Sequence, residues 1–215
     1  MFLNRRGKLF SIFIFCTLVL SLFLMRLPAH AQVAKTPEQG GVIEGVVDSP
    51  YVKRYQALVY VEQVKGDFPP PKENPFISQK NMVFTPHVLP VVKGTTVDFT
   101  NDDTVAHNVF APPGSAVGFN LGLYGAGVTK TQTFDNLGEV PLLCNVHPEM
   151  LGYVIVLQNP FCALTDTGGK FQIKNVPPGT YQLKVWNEKV EGDPQQVVVT
   201  AGKPTAVEFK GLKKR

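Results

Sequence analysis

The stretch "LLCNVHPEM", Leu142 to Met150, sets a thiol, an imidazole and a thioether at Cys144, His147 and Met150, in the pattern C-x2-H-x2-M. A second imidazole, His107, lies upstream in "AHNVF", just after the turn sequence "NDD". A soft thiolate and two imidazoles as strong ligands, with a thioether as a weak axial one, is the donor set of a trigonal copper site. Two other chemistries compete for the same residues. Zinc takes Cys and His, but thioether suits it poorly, and a closed structural zinc site usually brings two or more cysteines. A disulfide from Cys144 to Cys162 is open to an exported chain with two thiols, and it leaves His107, His147 and Met150 without a role.

Export is read from the first residues. Arg5, Arg6 and Lys8 precede an apolar run from Leu9 to Met25, and Ala29-His30-Ala31 supplies an A-x-A cleavage signal. Residues 1–31 therefore read as a secretory signal peptide cut before Gln32, with an uncleaved membrane anchor as the rival reading. Cys16 leaves with the leader, so Cys144 and Cys162 are the cysteines of the exported chain. The leader's basic residues, Arg5, Arg6, Lys8 and Arg26, account for the whole formal charge of +4, and the exported chain is near neutral. Lacking basic clusters apart from Lys213-Lys214-Arg215, the chain offers nucleic acid no electrostatic footprint, and that class of function is excluded. Membrane contact is expected through the leader alone. The periplasm is the expected compartment, with the thylakoid lumen and the cell exterior also open.

The elements that must hold these side chains are strands. Past the leader, Gly, Pro and Asn-Asp punctuation separates short β-branched and aromatic runs, with no stretch of helical period and length, so the fold class is all-β. Strands are expected at "GVIEGVV" from Gly41, "ALVYVEQV" from Ala57, "VLPVV" from Val88, "TTVDF" from Thr95, "AHNVF" from Ala106, "YVIVL" from Tyr153, "KFQIKNV" from Lys170, "YQLKVW" from Tyr181 and "QVVVT" from Gln196. Alternation turns Val97 and Phe99 inward and Asp98 outward. "APPGSAVGFNLGLYGAG", Ala111 to Gly127, reads as a loop near the site. Linkers are expected at "GDFPPPKENP" and "QNPF", because Pro cannot sit in a central strand.

"PHVLPVVKGTTVDFTNDDTVAHNVF" followed by "LLCNVHPEMLGYVIVL" resembles a cupredoxin, with a C-x2-H-x2-M loop most similar to that of amicyanin and an "HNV" similar to the first-ligand segment of plastocyanin and amicyanin. The whole exported chain resembles the plastocyanin-like, methylamine-utilisation-type secreted proteins. The resemblance covers residues 76–157 and implies a Greek-key β-sandwich binding one type 1 copper through His107, Cys144, His147 and Met150. The flanks, 42–68 and 158–215, resemble a carboxypeptidase regulatory-like, prealbumin-type β-sandwich split around the cupredoxin. Asn108, beside His107, is expected to reach across to the ligand loop and tie it down.

The function expected is a secreted carrier of single electrons between redox partner proteins, working through the edge of His147, and not an enzyme. A periplasmic copper carrier or storage protein would use the same ligands. A metal-free β-sandwich interaction module would carry the Cys144 to Cys162 bridge instead.

Overall fold

Short runs of β-branched and aromatic residues broken by Gly, Pro and Asn-Asp form eighteen strands among the described residues, 39–215, of the computed structural model. The leader, its cleavage signal and Cys16 lie outside the described residues. β1 (Gly41–Val47) and β2 (Leu58–Val61) precede the proline-rich segment. After it come β3 (Phe76–Lys80), β4 (Val83–Thr85), β5 (Val88–Val92), β6 (Thr95–Asn101), β7 (His107–Ala111), β8 (Phe119–Tyr124), β9 (Thr129–Phe134), β10 (Gly138–Leu143) and β11 (Leu151–Leu157). The chain then runs through β12 (Cys162–Leu164), β13 (Lys170–Val176), β14 (Gly179–Trp186), β15 (Val190–Glu191), β16 (Gln195–Val199), β17 (Pro204–Phe209) and β18 (Lys213–Lys214).

β3 to β11 make one sandwich, from sheets ordered β5-β11-β10-β7-β8 and β4-β3-β6-β9. Its core is the set of inward positions that alternation selects: Ile77, Val97, Phe99 and Phe134 from one sheet pack with Val109, Val140, Val154 and Val156 from the other. The remaining strands build sheets β13-β1-β17 and β12-β2-β14-β15-β18, with β16 beside β14. "GVIEGVV" thus pairs antiparallel with β13 and parallel with β17, both from the far end of the chain. Ile43, Val47, Val61, Ile173, Leu183 and Phe209 fill the second core.

β11 is buried on both faces. Val154 and Val156 face the first core, while Tyr153, Ile155 and Leu157 pack with Leu58, Val88 and Trp186 between the two sandwiches. Burial on both faces explains why "YVIVL" is an unbroken apolar run and does not alternate with polar residues. Proline is placed where the ladders permit it. Pro90 lies on β5, an edge strand, and Pro141 lies outside the short β10–β7 pairing, which consists of Leu143 opposite Phe110.

One expectation about the strands is corrected. Ala111 to Gly127 is not a loop throughout, because Phe119–Tyr124 forms β8 against β7. β9 and β10 also escape the sequence reading, since β9 is "TKTQTF", an edge strand whose one buried residue is Phe134.

Gly45 sits between two strands with no room for a side chain. A Cβ there would lie 1.8 Å from the Val207 carbonyl oxygen and 3.1 Å from the Phe171 ring. Gly45→Ala is therefore expected to force β1 and β17 apart and to cost at least about 1–3 kcal/mol, read as a lower denaturation midpoint.

Candidate metal centre

Strand register brings the donors together. β10 runs antiparallel to β11 with Leu143 opposite Leu151, which leaves residues 144–150 as the connecting hairpin loop. β7 lies on the other side of β10 and runs antiparallel to it, so the start of β7, His107, and the residue just past β10, Cys144, reach the same end of the sheet. Within the loop, Met150 N–H donates to the His147 carbonyl at 3.0 Å. That bond closes a four-residue turn with Pro148 in second place, where its fixed φ fits. The turn carries Met150 back into the interior beside Cys144.

One donor atom each from His107, Cys144 and His147 lie within 4.8 Å of one another. The two imidazoles present Nδ1 to Nδ1 at 3.0 Å, with ring centroids 4.7 Å apart. His107, Cys144 and Met150 are buried, whereas His147 is half-buried. Two imidazole nitrogens and a sulfur converging in a buried pocket, with a thioether packed in the same core, fit a type 1 copper site.

A polar network that the spacing does not reveal stands behind His107. Its Nε2 lies 3.1 Å from Asp103 Oδ2. The N–H of Met82, the His107 ring and the N–H of Thr104 hold the Asp103 carboxyl at about 2. Buried Asn101 pins this turn, donating through Nδ2 to the carbonyls of Val105 and Tyr124 and accepting the N–H of Asp103. Tyr124, opposite His107 on β8, takes a hydrogen bond from Gln79; burial, reinforced by the Cys144 charge, pushes its phenol up to about 12.

Asn108 does not reach the ligand loop. Its Nδ2 donates to Asn120 Oδ1 at 2.8 Å, a partner supplied by β8, and its own Oδ1 finds no partner among the described residues. The rival Cys144 to Cys162 disulfide is not formed. Both thiols are free, Cys144 in the first core and Cys162 on β12, paired with β2 in the other sandwich. Burial pushes the Cys162 thiol up to about 11. Because the thiolate is the nucleophile, and its gain in intrinsic reactivity offsets only part of its lower population, Cys162 should alkylate at pH 8 about tenfold more slowly than an ordinary thiol, a difference that timed iodoacetamide labelling with mass spectrometry would show. His87, the remaining histidine among the described residues, pairs with Glu188 at 2.6 Å, away from the donor cluster.

A β-sandwich holding a His-Cys-His cluster at one sheet end is the architecture of a small copper protein. Residues 74–157 match the family described as "Copper binding proteins, plastocyanin/azurin family", and this part of the chain is a cupredoxin domain of that family. Residues 150–207 match "Polysaccharide lyase family 4, domain II"; apart from 150–157, which are Met150 and β11 of the first sandwich, they fall in the second small β-sandwich domain. No curated protein matches the chain. Among solved structures, a purple cupredoxin from Nitrosopumilus maritimus is similar at 26% identity and a TM-score of 0.35, over 39% of this chain and 99% of that one. A reduced, Cu(I) amicyanin variant is similar at 23% identity and a TM-score of 0.38, over 46% of this chain and 97% of that one. A Cu-containing nitrite reductase from Thermus scotoductus SA-01 aligns at 23% identity and a TM-score of 0.38, over 52% of this chain and 28% of that one.

Proposed function

We propose that this chain carries single electrons by means of one type 1 copper, which the Cys144 thiolate and the Nδ1 atoms of His107 and His147 would hold, with the Met150 thioether as a weaker donor. The observation that carries the reading is the convergence of those three donors within 4.8 Å inside a cupredoxin domain. Copper would supply a one-electron couple at this point. The protein's part is to hold the donors still: His107 leaves a strand, Cys144 and Met150 are locked in the core, and the Pro148 turn stiffens the loop between them. His147, the donor closest to solvent, presents its edge to a redox partner protein.

The chain acts in the periplasm after removal of residues 1–31, and no catalytic step is assigned to it. Two of the three exported histidines are spent on this site and the third is paired with Glu188, which leaves one subunit without imidazoles for a catalytic copper. The cupredoxin, 76–157, is inserted in a β-sandwich made from 42–68 and 158–215, a reading supported by the pairing of β1 with β13 and β17.

Titrating the chain from Gln32 onward with Cu(II), then cycling it between oxidation states beside a competing Cu(I) chelator, tests the reading. One copper per chain with an intense thiolate-to-copper band, kept through cycling, is expected. Surrender of Cu(I) to the chelator at each reduction would make the protein a copper carrier instead, and a protein that takes up copper in neither oxidation state would overturn both.

A further inference from the structure

The C-x2-H-x2-M motif and its upstream histidine account for four side chains, yet the His107 ring has a fifth group fixed to it. His107 Nδ1 faces His147 Nδ1 at 3.0 Å, and its opposite ring nitrogen, Nε2, faces Asp103 Oδ2 at 3.1 Å. A neutral imidazole has one N–H and one lone pair, and a carboxylate can only accept. The proton of His107 therefore belongs on Nε2, and the lone pair on Nδ1 points toward His147 and Cys144.

Asp103 is itself held in place. Oδ2 also accepts the Met82 N–H at 3.0 Å, Oδ1 accepts the Thr104 N–H at 2.9 Å, and its own N–H donates to Asn101 Oδ1 at 3.0 Å. The neighbouring Asp102 is turned the other way, onto Ser78 and Thr100. Of the two adjacent acids in "NDD", one therefore ties β3 to β6 and the other serves the His107 ring.

We propose that Asp103 is a positioning residue of the metal centre: it fixes the Nε2–H tautomer of His107 and, as an anion, strengthens Nδ1 as a donor so that the site favours Cu(II) over Cu(I). The inference rests on the copper reading above. An uncharged acceptor at Nε2 would orient the ring equally well. Only a charged one makes the imidazole a markedly better donor, which benefits the more positive metal ion more and lowers the reduction potential. Orientation and charge are thus separable by substitution: Asp103→Asn keeps an oxygen acceptor of the same size, and Asp103→Ala removes acceptor and charge together.

The experiment compares wild type, Asp103→Asn and Asp103→Ala by copper titration, potentiometry and, on the metal-free proteins, long-range ¹H–¹⁵N spectra of the histidine rings. Asp103→Asn should keep the visible band and one copper per chain while its preference for Cu(II) over Cu(I) falls about tenfold, which is a rise of about 59 mV in a one-electron potential. Asp103→Ala should lose about 10- to 100-fold in Cu(II) affinity and show His107 as a mixture of tautomers where wild type shows Nε2–H. An unchanged potential in Asp103→Asn, or an Nδ1–H tautomer of His107 in metal-free wild type, would overturn the role of Asp103 and leave the copper reading standing. A wild type that takes up no copper would overturn both. The ring spectra and the potential of a copper-loaded variant are read on folded protein, so a fall in stability alone cannot mimic the expected result.

Discussion

Cys144→Ser is expected to abolish the intense visible band of the copper-loaded protein and to weaken copper binding by at least about 100-fold, the upper end of what losing a mere outer partner costs. The thiolate is the one soft anionic donor in the cluster, and a serine hydroxyl at the same position is hard, neutral and reluctant to ionise. The substitution is close to isosteric, and Cys144 lies at the rim of the first core next to half-buried His147, so the fold should survive it with a loss of about 1 kcal/mol. Urea unfolding of the metal-free variant checks that part. A variant that keeps both its colour and its copper would mean that the donors are other residues. One that unfolds in buffer would shift the test to Cys144→Ala and to His147→Ala, whose side chain is half-buried and costs less to remove.

The ligand loop is legible in the sequence because its donors are crowded into seven residues that a hairpin must close. No long-range knowledge is needed to see that Cys144, His147 and Met150 share one turn. His107 is legible for a different reason: a polar ring at the start of an apolar run, "HNVF", is at the end of a strand wherever that strand lies. The long apolar strands are equally plain, down to the doubly buried "YVIVL". The edge of the sandwich is not. β8 buries only Tyr124 completely, and β9 buries only Phe134, so neither displays an alternating apolar face.

The missed strand explains the missed partners. With Phe119–Tyr124 read as loop, nothing stands opposite β7, and Asn108 is left to the ligand loop when its partner is Asn120 on β8. Tyr124, which lies opposite His107, is hidden for the same reason. Asp103 has a visible cue, a carboxylate four residues before a candidate ligand. The cue cannot decide between Asp102 and Asp103, because the choice depends on how buried Asn101 folds the turn, and that depends on carbonyls of Val105 and Tyr124.

Trp186→Ala is expected to lower stability by about 3–5 kcal/mol, among the largest losses a single substitution should cause here. The indole lies in the cluster between the two sandwiches, its ring centroid 5.0 Å from that of Tyr153, among Leu58, Val88, Ile155 and Leu157. Nε1–H donates to Glu139 Oε2 at 2.8 Å, and Arg215 holds the same oxygen at 2.9 Å, so truncation opens a cavity and leaves Glu139 with Arg215 alone. The damage should not stay local. Tyr153 and Ile155 on β11 lose packing on one face while Val154 and Val156 on the same strand still support the first core, and β11 begins one residue after Met150. If the shared strand couples the two cores, urea unfolding of Trp186→Ala should remain a single transition with a lower midpoint when followed by both tyrosine fluorescence and circular dichroism, with Trp186→Phe recovering most of the loss. Two separated transitions would show instead that each sandwich stands on its own core, and that burying both faces of β11 joins them without making either depend on the other.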